Sequence, residues 1–220
     1  PLAREWIAQA CAIAAGGIVF VDGQKTDGIE SILKEVKKRT TVLGAISKAH
    51  GRLFWFQAAD FSDWIQGITQ TSDGFSTMPG VFSADGVDPA SKLLADNLPE
   101  KFKGRIVDLG AGWGYLSSRL VAREDVTEVH LVEADKRALD CAQLNVTSDK
   151  AQFHWTDASL FVLKDRVDNV VMNPPFHADR KADPEIGKRF ILAAGRLLKP
   201  SGQLFLVANR HLPYETVLSE

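Results

Sequence analysis

Hydrophobic residues in the second half of the chain occur in short runs that are typical of buried strands. Four such runs each end where a polar or glycine-rich segment begins; they cover residues 105–109, 128–132, 152–155 and 170–172. After the first run, Leu116, Leu120 and Val121 recur at helical spacing. The pattern therefore predicts successive strands, the first of which is followed by a glycine-rich turn and a helix.

The start of the chain repeats the plan of a later segment. Residues 4–24 and 190–210 each show an apolar helix, a glycine turn and a buried strand. Within them, Gly16–Val21 matches Gly202–Val207 almost place for place. The pattern favours an internal repeat, and two unrelated helix–strand units remain the alternative.

Three further elements follow the first copy of this plan. A helix with one apolar face is expected to begin with a capping box formed by Asp27 and Glu30. Two strand-like runs come next, at residues 41–46 and 52–56. Residues 60–79 then lose apolar periodicity and are dense in glycine and polar residues, which indicates a connector.

Asp108 precedes a glycine-rich segment with glycines at positions 110, 112 and 114. Glycine lets a backbone turn tightly and approach a ligand closely, and the helix that follows offers unpaired N–H groups. The spacing differs from the dinucleotide fingerprint Gly-x-Gly-x-x-Gly, because the last glycine comes one residue early and an acid precedes the first. The segment is predicted to bind a nucleotide-type cofactor.

Two more acids follow the next two strand-like runs. Glu133 lies about twenty residues past the glycines. A carboxylate at this position can accept hydrogen bonds from both hydroxyls of a ribose. Asp157 follows the third run and is placed to accept from the amino group of an adenine. Singly, each acid is equally typical of a cap or a loop. Three acids at the ends of three successive strands favour a cofactor site.

The tetrapeptide Asn173-Pro174-Pro175-Phe176 follows the fourth run. Each proline fixes φ near about −65° and lacks an N–H, and the residue before a proline is held extended. Carbonyl oxygens and the Asn173 amide can then accept hydrogen bonds from an exocyclic amine, while Phe176 can stack on a ring. Pro-Pro pairs also occur in ordinary turns. The cofactor pattern upstream is what favours a catalytic loop over a structural one.

Residues 105–176 together resemble the class I S-adenosylmethionine-dependent methyltransferases that methylate amino groups through an Asn-Pro-Pro-aromatic loop. More narrowly, three segments are similar to the bacterial guanine-N2 methyltransferases of ribosomal RNA: Pro79–Asp88, Asn173–His177 and Val207–Tyr214. The small-subunit (16S) branch of that family is the most similar, and the large-subunit branch is second. The similarity covers essentially the whole chain and is most specific from residue 78 onward.

This resemblance implies an α/β fold, with a Rossmann-like class I methyltransferase sheet flanked by helices and preceded by the tail of a second methyltransferase-like domain. Residues 1–59 would be the C-terminal part of a degenerate N-terminal domain, residues 60–79 a connector, and residues 80–220 the catalytic domain. In this fold Gly202–Val207 would be the fifth strand, and no run after it corresponds to the antiparallel strand pair that ends the fold. The catalytic domain is therefore expected to be truncated at its C-terminal end.

The resemblance also implies roles for individual residues. S-adenosyl-L-methionine would be bound by Asp108, Gly110, Gly112, Gly114, Glu133, Asp157 and Asn173. The reacting loop would be formed by Asn173, Pro174, Pro175 and Phe176, and the RNA would be contacted by His177, Arg180 and Arg210. Three residues ahead of the sheet are expected to close over the cofactor or, more simply, to cap the helix that starts near Pro89: Phe82, Asp85 and Asp88.

The implied reaction is methyl transfer to the exocyclic N2 amine of a guanine in small-subunit (16S) ribosomal RNA, within the small ribosomal subunit. The same loop also serves enzymes that methylate large-subunit guanine N2, adenine N6, cytosine N4 or a protein glutamine, and these remain alternatives. A catalytically silent cofactor-binding module for ribosome assembly is the non-enzyme alternative, which the intact glycines, acids and Asn173 disfavour.

Composition narrows these expectations only slightly. Of the 220 residues, 45% are hydrophobic and 25% are charged, which is ordinary for a globular protein. No apolar run reaches the roughly 18 residues of a membrane span. Cys11 and Cys141 lack zinc-ligand spacing, so no metal is expected. The net charge is −2 and the sequence has no stripe of basic residues, which argues against a protein that binds naked RNA through its phosphates. Cys11 and Cys141, interpreted as reduced core residues, favour a cytoplasmic protein. The family resemblance implies that it meets its RNA in a preassembled particle, and a monomer is expected.

Overall fold

The computed structural model describes residues 2–175, 177–178 and 181–219. The chain forms two compact units, Pro1–Gly67 and Ile68–Glu220. Over the described ranges, no helix is both long enough and apolar enough to cross a membrane.

The N-terminal unit is a three-stranded antiparallel sheet with two α-helices. Its elements are α1 (Leu2–Ala14), β1 (Ile18–Gln24), α2 (Ile29–Val36), β2 (Val42–Lys48) and β3 (Gly51–Gln57), with 3₁₀ turns at Lys25–Asp27 and Ser62–Trp64. β3 lies in the middle, in the order β1-β3-β2. The apolar faces of both helices pack on Phe54 and Phe56, which are fully buried. The two strand-like runs predicted in this unit are confirmed as β2 and β3.

The predicted capping box at the start of α2 is wrong. The N-cap of α2 is Gly28, with φ of 81°, and no side chain caps this helix. Asp27 instead belongs to the preceding 3₁₀ turn and accepts from the backbone N–H of Gln24. Glu30 pairs with Arg52 of β3 at 2.7 Å. A glycine in the left-handed region lets the chain turn directly from the 3₁₀ turn into α2, which sequence spacing alone did not indicate.

The C-terminal unit is built on a five-stranded parallel sheet. Its elements along the chain are β4 (Thr69–Gln70), β5 (Ser76–Thr77), α3 (Pro89–Asn97), β6 (Gly104–Leu109), α4 (Tyr115–Val121), β7 (Val126–Glu133), α5 (Lys136–Asn145), β8 (Ala151–Trp155), β9 (Val167–Met172), β10 (His177–Ala178), β11 (Lys181–Ala182), α6 (Pro184–Leu197), β12 (Leu198–Leu206) and α7 (Glu215–Leu218). The large sheet has the order β12-β9-β6-β7-β8, while β4 pairs with β5 and β10 with β11.

Alternate residues of the central strands are buried on the two faces of this sheet. Val107 and Met172 belong to a cluster that α6 covers, whereas Ile106 and Leu131 belong to a cluster covered by α3 and α4. β6, β7 and β9 are mostly buried and mostly apolar, as expected for parallel strands covered on both faces, whereas the edge strand β8 has no buried residue. The α/β fold class with a helix-flanked Rossmann-like sheet is confirmed.

The strand order fixes where a ligand can bind. From β6 the chain proceeds through β7 to β8 on one side, and then returns to β9 on the other side of β6. Register places Leu109 beside Val132, and Asp108 beside Val171, so the carboxyl ends of these strands meet at one edge. Crevices at such a reversal are the usual ligand sites of open α/β sheets.

A candidate active site at the reversal of the sheet

A cleft of about 460 Å³ opens at this edge of the sheet. One side, here called the glycine wall, consists of Gly110, Gly112, Glu133, Ala134, Asp157 and Ala158. The other side, here called the proline wall, consists of Asn173, Pro174 and Pro175. Phe82 and Phe190 are the other described residues that line the cleft. The two predicted motifs, separated along the chain, therefore face one cavity.

The glycines of the first motif have different tasks. Gly112 has φ of 55°, and a Cβ built on it would meet nothing within 4 Å, so its backbone faces open space in the cleft. Gly114 has φ of 89° and begins α4, where a Cβ would lie 3.0 Å from Val146. Gly112 therefore offers a backbone that a ligand can approach, whereas Gly114 allows close packing of α4 and does not line the cleft.

Glu133, the last residue of β7, anchors the glycine segment. Its Oε2 accepts from the backbone N–H of Gly112 at 2.8 Å, and its Oε1 accepts from the backbone N–H of Asp135 at 2.8 Å. Each carboxylate oxygen has capacity for a second hydrogen bond. Glu133 is thus held rigidly while it still presents acceptors to the cleft that it lines.

Asp108 lies beneath this segment and is fully buried. Its Oδ2 accepts from the Ser117 hydroxyl at 2.7 Å, while its Oδ1 has no hydrogen-bond partner among the described residues. Burial raises the pKa of the Asp108 carboxyl to about 7; the hydrogen bond from Ser117 opposes this increase, and the charge of Glu133 adds to it. A buried acceptor without a partner is costly unless a ligand supplies a donor.

Asp157 lies in the turn after β8. Its Oδ1 accepts from both the backbone N–H and the hydroxyl of Ser159, each at 2.8 Å. Both bonds use the same oxygen, so the second oxygen remains for a ligand of the cleft that Asp157 lines. The predicted cofactor acids, Asp108, Glu133 and Asp157, are thus brought to one edge of the sheet.

On the proline wall, the Asn173 side chain is held from α3. Its Nδ2 donates to Asp88 Oδ2 at 3.0 Å and to Ser91 Oγ at 2.9 Å. Asp88 is also the N-cap of α3, because the same Oδ2 accepts from the Ser91 backbone N–H at 2.7 Å. The predicted cap at Asp88 is confirmed, whereas no sequence pattern indicates that Asp88 and Ser91 contact Asn173.

Phe82 and Phe190 bring aromatic surface to the cleft. Phe82 is 61% exposed, and its backbone carbonyl accepts from Trp113 Nε1 at 2.9 Å. Phe190 of α6 comes within about van der Waals distance of Gly110, where a Cβ would meet its ring at 3.1 Å. Asp85, which was predicted together with Phe82 to close over the cofactor or to cap α3, is exposed and does not line the described cleft. Phe190 was missed because its position in an apolar helix gives it no distinct signal.

The structure describes the remaining predicted site residues only in part. Phe176 and Arg180 lie outside the described residues, and only the backbone of His177, in β10, is described. Arg210 is exposed in the turn after β12 and is not among the described residues of the cleft. In the described part of the chain, no three His, Cys, Asp or Glu side chains group as metal ligands.

Comparison with known proteins agrees with this geometry. Residues 73–220 match the family described as methyltransferase small domain. The ribosomal RNA small subunit methyltransferase C of Hahella chejuensis is 29% identical over 97% of this chain and 68% of its own length. The protein of the same name from Psychromonas ingrahamii is 31% identical over 92% of this chain and 62% of its own length.

A solved structure is also similar over the whole chain. It is a T. thermophilus 16S rRNA N2 methyltransferase in complex with AdoMet and guanosine, with 28% identity and a TM-score of 0.78. The match covers 100% of this chain and 65% of that one. The chain thus spans between 62% and 68% of the length of these relatives. Since the family match covers most of the chain and all of the cleft, the chain belongs to the methyltransferase small domain family.

Proposed function

We propose that this protein transfers a methyl group from S-adenosyl-L-methionine to the exocyclic N2 amine of a guanine in 16S ribosomal RNA. One observation carries the proposal: the glycine wall and the proline wall line the same cleft. A cofactor on the first wall and an amine on the second would be neighbours, which is what a direct transfer between them requires.

The residues of the glycine wall fit this cofactor. Its backbone approaches open space at Gly112, Glu133 offers acceptors to ribose hydroxyls, and Asp157 retains an oxygen for the adenine amino group. Asp108, buried beneath this wall and outside the lining of the cleft, has an Oδ1 without a hydrogen-bond partner among the described residues. When bound, S-adenosyl-L-methionine supplies an activated methyl group on a sulfonium.

The proline wall supports the amine. The lone pair of the guanine amino nitrogen is delocalised into the ring, so the nitrogen must be oriented before it can attack. Asn173 Oδ1 and the Pro174 carbonyl would accept its two N–H bonds and aim the lone pair toward the cofactor. Asn173 cannot act as a base, so its contribution is orientation and electrostatic preorganisation. The amine proton leaves to water after the transfer.

The choice of guanine and of small-subunit RNA is supported by the relatives. Two are named small subunit methyltransferases, and the similar solved enzyme is an N2 methyltransferase bound to guanosine. The alternatives are guanine N2 in large-subunit RNA, adenine N6 and a protein glutamine, whose amino groups the proline wall would also suit. Phe176, His177, Arg180 and Arg210 stay predicted base or RNA contacts, alongside Phe82 as an exposed aromatic residue at the cleft.

We also propose that residues 1–59 are the C-terminal part of a degenerate methyltransferase-like domain, joined through residues 60–79 to a catalytic domain at 80–220. The repeated helix–glycine–strand plan and the antiparallel order β1-β3-β2 support this reading. We further propose a cytoplasmic monomer that acts on an assembled small subunit, and the net charge of −2 argues against a protein that binds naked RNA.

The function is tested by transfer of a labelled methyl group from S-adenosyl-L-methionine to unmodified small subunits, large subunits and naked RNA. Nucleoside analysis then identifies the modified atom. The expected product is N2-methylguanosine, from small subunits alone. Label in N6-methyladenosine would show that the substrate base is adenine and not guanine. Label in large subunits would show that the substrate is large-subunit RNA. Cofactor binding without label in any substrate would favour a silent assembly module.

A further inference from the structure

The Asn173 side chain can be oriented in two ways, and its surroundings permit only one. Both hydrogen bonds of its Nδ2 point into the protein, to Asp88 Oδ2 at 3.0 Å and to Ser91 Oγ at 2.9 Å. Rotating the amide by 180° would exchange Nδ2 and Oδ1 in these contacts. The chemistry of the two partners decides whether that exchange is allowed.

Ser91 is compatible with either orientation, because a hydroxyl can accept from Nδ2 or donate to Oδ1. Asp88 is not, since an ionised carboxylate only accepts. Its Oδ2 already accepts from the Ser91 backbone N–H at 2.7 Å, so it would meet Asn173 Oδ1 as one acceptor against another. Asp88 therefore selects the orientation in which Nδ2 is used internally and Oδ1 is left for a ligand.

We propose that Asp88 is a positioning residue for methyl transfer, which fixes the Asn173 amide so that it presents an acceptor to the substrate. This inference rests on the proposed function. It also deepens it, because an amide held in this orientation favours a substrate atom that donates hydrogen bonds. An amine such as guanine N2 is accepted, whereas a carbonyl such as guanine O6 would face Oδ1 without a donor.

Capping of α3 does not require the contact between Asp88 and Asn173. A cap needs only a bond to a backbone N–H, as at Asp135 and Asp183, which cap α5 and α6 by each accepting one at 3.0 Å. A pure cap predicts that changes at Asp88 alter stability and leave turnover of the folded protein intact. A positioning role predicts a loss of kcat with little change in cofactor affinity.

Three substitutions separate these roles. Asp88→Gly removes the acceptor but keeps the helix start, because glycine at an N-cap costs only a few tenths of a kcal/mol relative to a polar cap. Asp88→Asn keeps one side-chain oxygen that can accept from both Ser91 and Asn173. Ser91→Ala removes the partner that tolerates either orientation. Thermal unfolding of each variant reports the structural effect separately.

For Asp88→Gly we expect kcat to fall about tenfold or more, with the dissociation constant of S-adenosyl-L-methionine within about twofold of the wild type. Asp88→Asn should restore kcat to within about threefold, and Ser91→Ala should lower it by about threefold at most. Turnover of the wild type in the same assay tests the proposed function separately. An inactive wild type would refute the proposed function, whereas the ratio of variant to wild-type kcat tests the role of Asp88.

Three outcomes would overturn the inference. Full turnover of Asp88→Gly would leave Asp88 as a cap only. Weaker cofactor binding in proportion to the lost activity would make it a cofactor ligand. Equal inactivity of Asp88→Gly and Asp88→Asn would mean that charge, and not the accepting oxygen, matters.

A measurement on the unaltered protein covers the case in which Asp88→Gly does not fold. In the wild type, the Asn173 side-chain NH₂ protons should exchange with solvent more slowly than those of Asn209, which is exposed. Equal exchange rates would show that the bonds to Asp88 and Ser91 are not maintained in solution.

Discussion

The two walls of the cleft are held in place over very different distances along the chain. On the glycine wall, Glu133 accepts from the Gly112 backbone N–H across 21 positions, and beneath this wall Asp108 accepts from the Ser117 hydroxyl across 9. On the proline wall, Asn173 is bound by Asp88 and Ser91, which are 85 and 82 positions away. The contact between Gly112 and Glu133 thus forms within one strand–helix–strand unit, from β6 to β7, whereas the proline wall depends on residues at the start of α3, outside that unit.

This difference suggests a division of labour that mutation can test. If the glycine wall only binds the cofactor and the proline wall only orients the amine, changes in one should leave the property of the other intact. A variant that lost both properties at once would show that the walls act as a single unit.

The largest effect is expected from Asn173→Ala. Without the amide oxygen, the amine is not oriented, and kcat should fall by about 100-fold or more, as for removal of a single preorganised group in other enzymes. Cofactor affinity, measured by calorimetry, should stay within about threefold because the glycine wall is untouched. Loss of cofactor binding in this variant would contradict the division between the walls.

A second prediction concerns Asp108, which is buried beneath the glycine wall, in the absence of cofactor. Burial raises the pKa of this carboxyl from 3.8 to about 7, so the folded state binds its proton more tightly than the unfolded state does. Its contribution to stability is therefore present at low pH and is lost as the pH rises toward 7. Between pH 5 and pH 8 the free energy of unfolding should fall by about 2 to 3 kcal/mol from this group.

Urea unfolding at the two pH values checks this expectation. Asp108→Asn carries no titrating group at this position, and its stability should lack that part of the pH dependence. An unchanged pH dependence in Asp108→Asn would show that the carboxyl does not titrate in this range. Its kcat at saturating cofactor should stay closer to the wild type than that of Asn173→Ala.

The smallest effects are expected from a matched pair of glycine substitutions. Gly114→Ala places a Cβ 3.0 Å from Val146 at φ of 89°, so we expect a loss of about 2 kcal/mol in stability. Gly112→Ala meets no neighbour within 4 Å, and the left-handed backbone alone should cost about 1 kcal/mol.

Cofactor affinity distinguishes the two glycines further. Because Gly112 faces the cleft, Gly112→Ala should weaken cofactor binding more than Gly114→Ala does. The opposite order of affinities would mean that the ligand does not approach the backbone at Gly112. Unfolding curves and cofactor titrations on the same two variants provide both comparisons.

Much of the fold followed from local patterns. The strand-like runs at 105–109, 128–132, 152–155 and 170–172 lie within β6, β7, β8 and β9. For β6, β7 and β9 the signal arises because strands covered on both faces are mostly apolar, whereas the edge strand β8 has no buried residue. The runs at 41–46 and 52–56 became β2 and β3. The start of α2 was predicted wrongly, since Asp27 and Glu30 have the spacing of a capping box but use their side chains elsewhere.

The sequence by itself determined the chemistry of the site: the glycine segment, the acids after successive strands and the stiff Asn173-Pro174-Pro175 loop. These follow from the stereochemistry of each residue and its near neighbours. Only the tertiary structure decided that the two walls share a cleft, that Asp108 is buried with one oxygen unpaired among the described residues, and that Asp88 accepts a hydrogen bond from the Asn173 amide. Those features depend on the strand order and on contacts more than 80 positions apart, which no local pattern encodes.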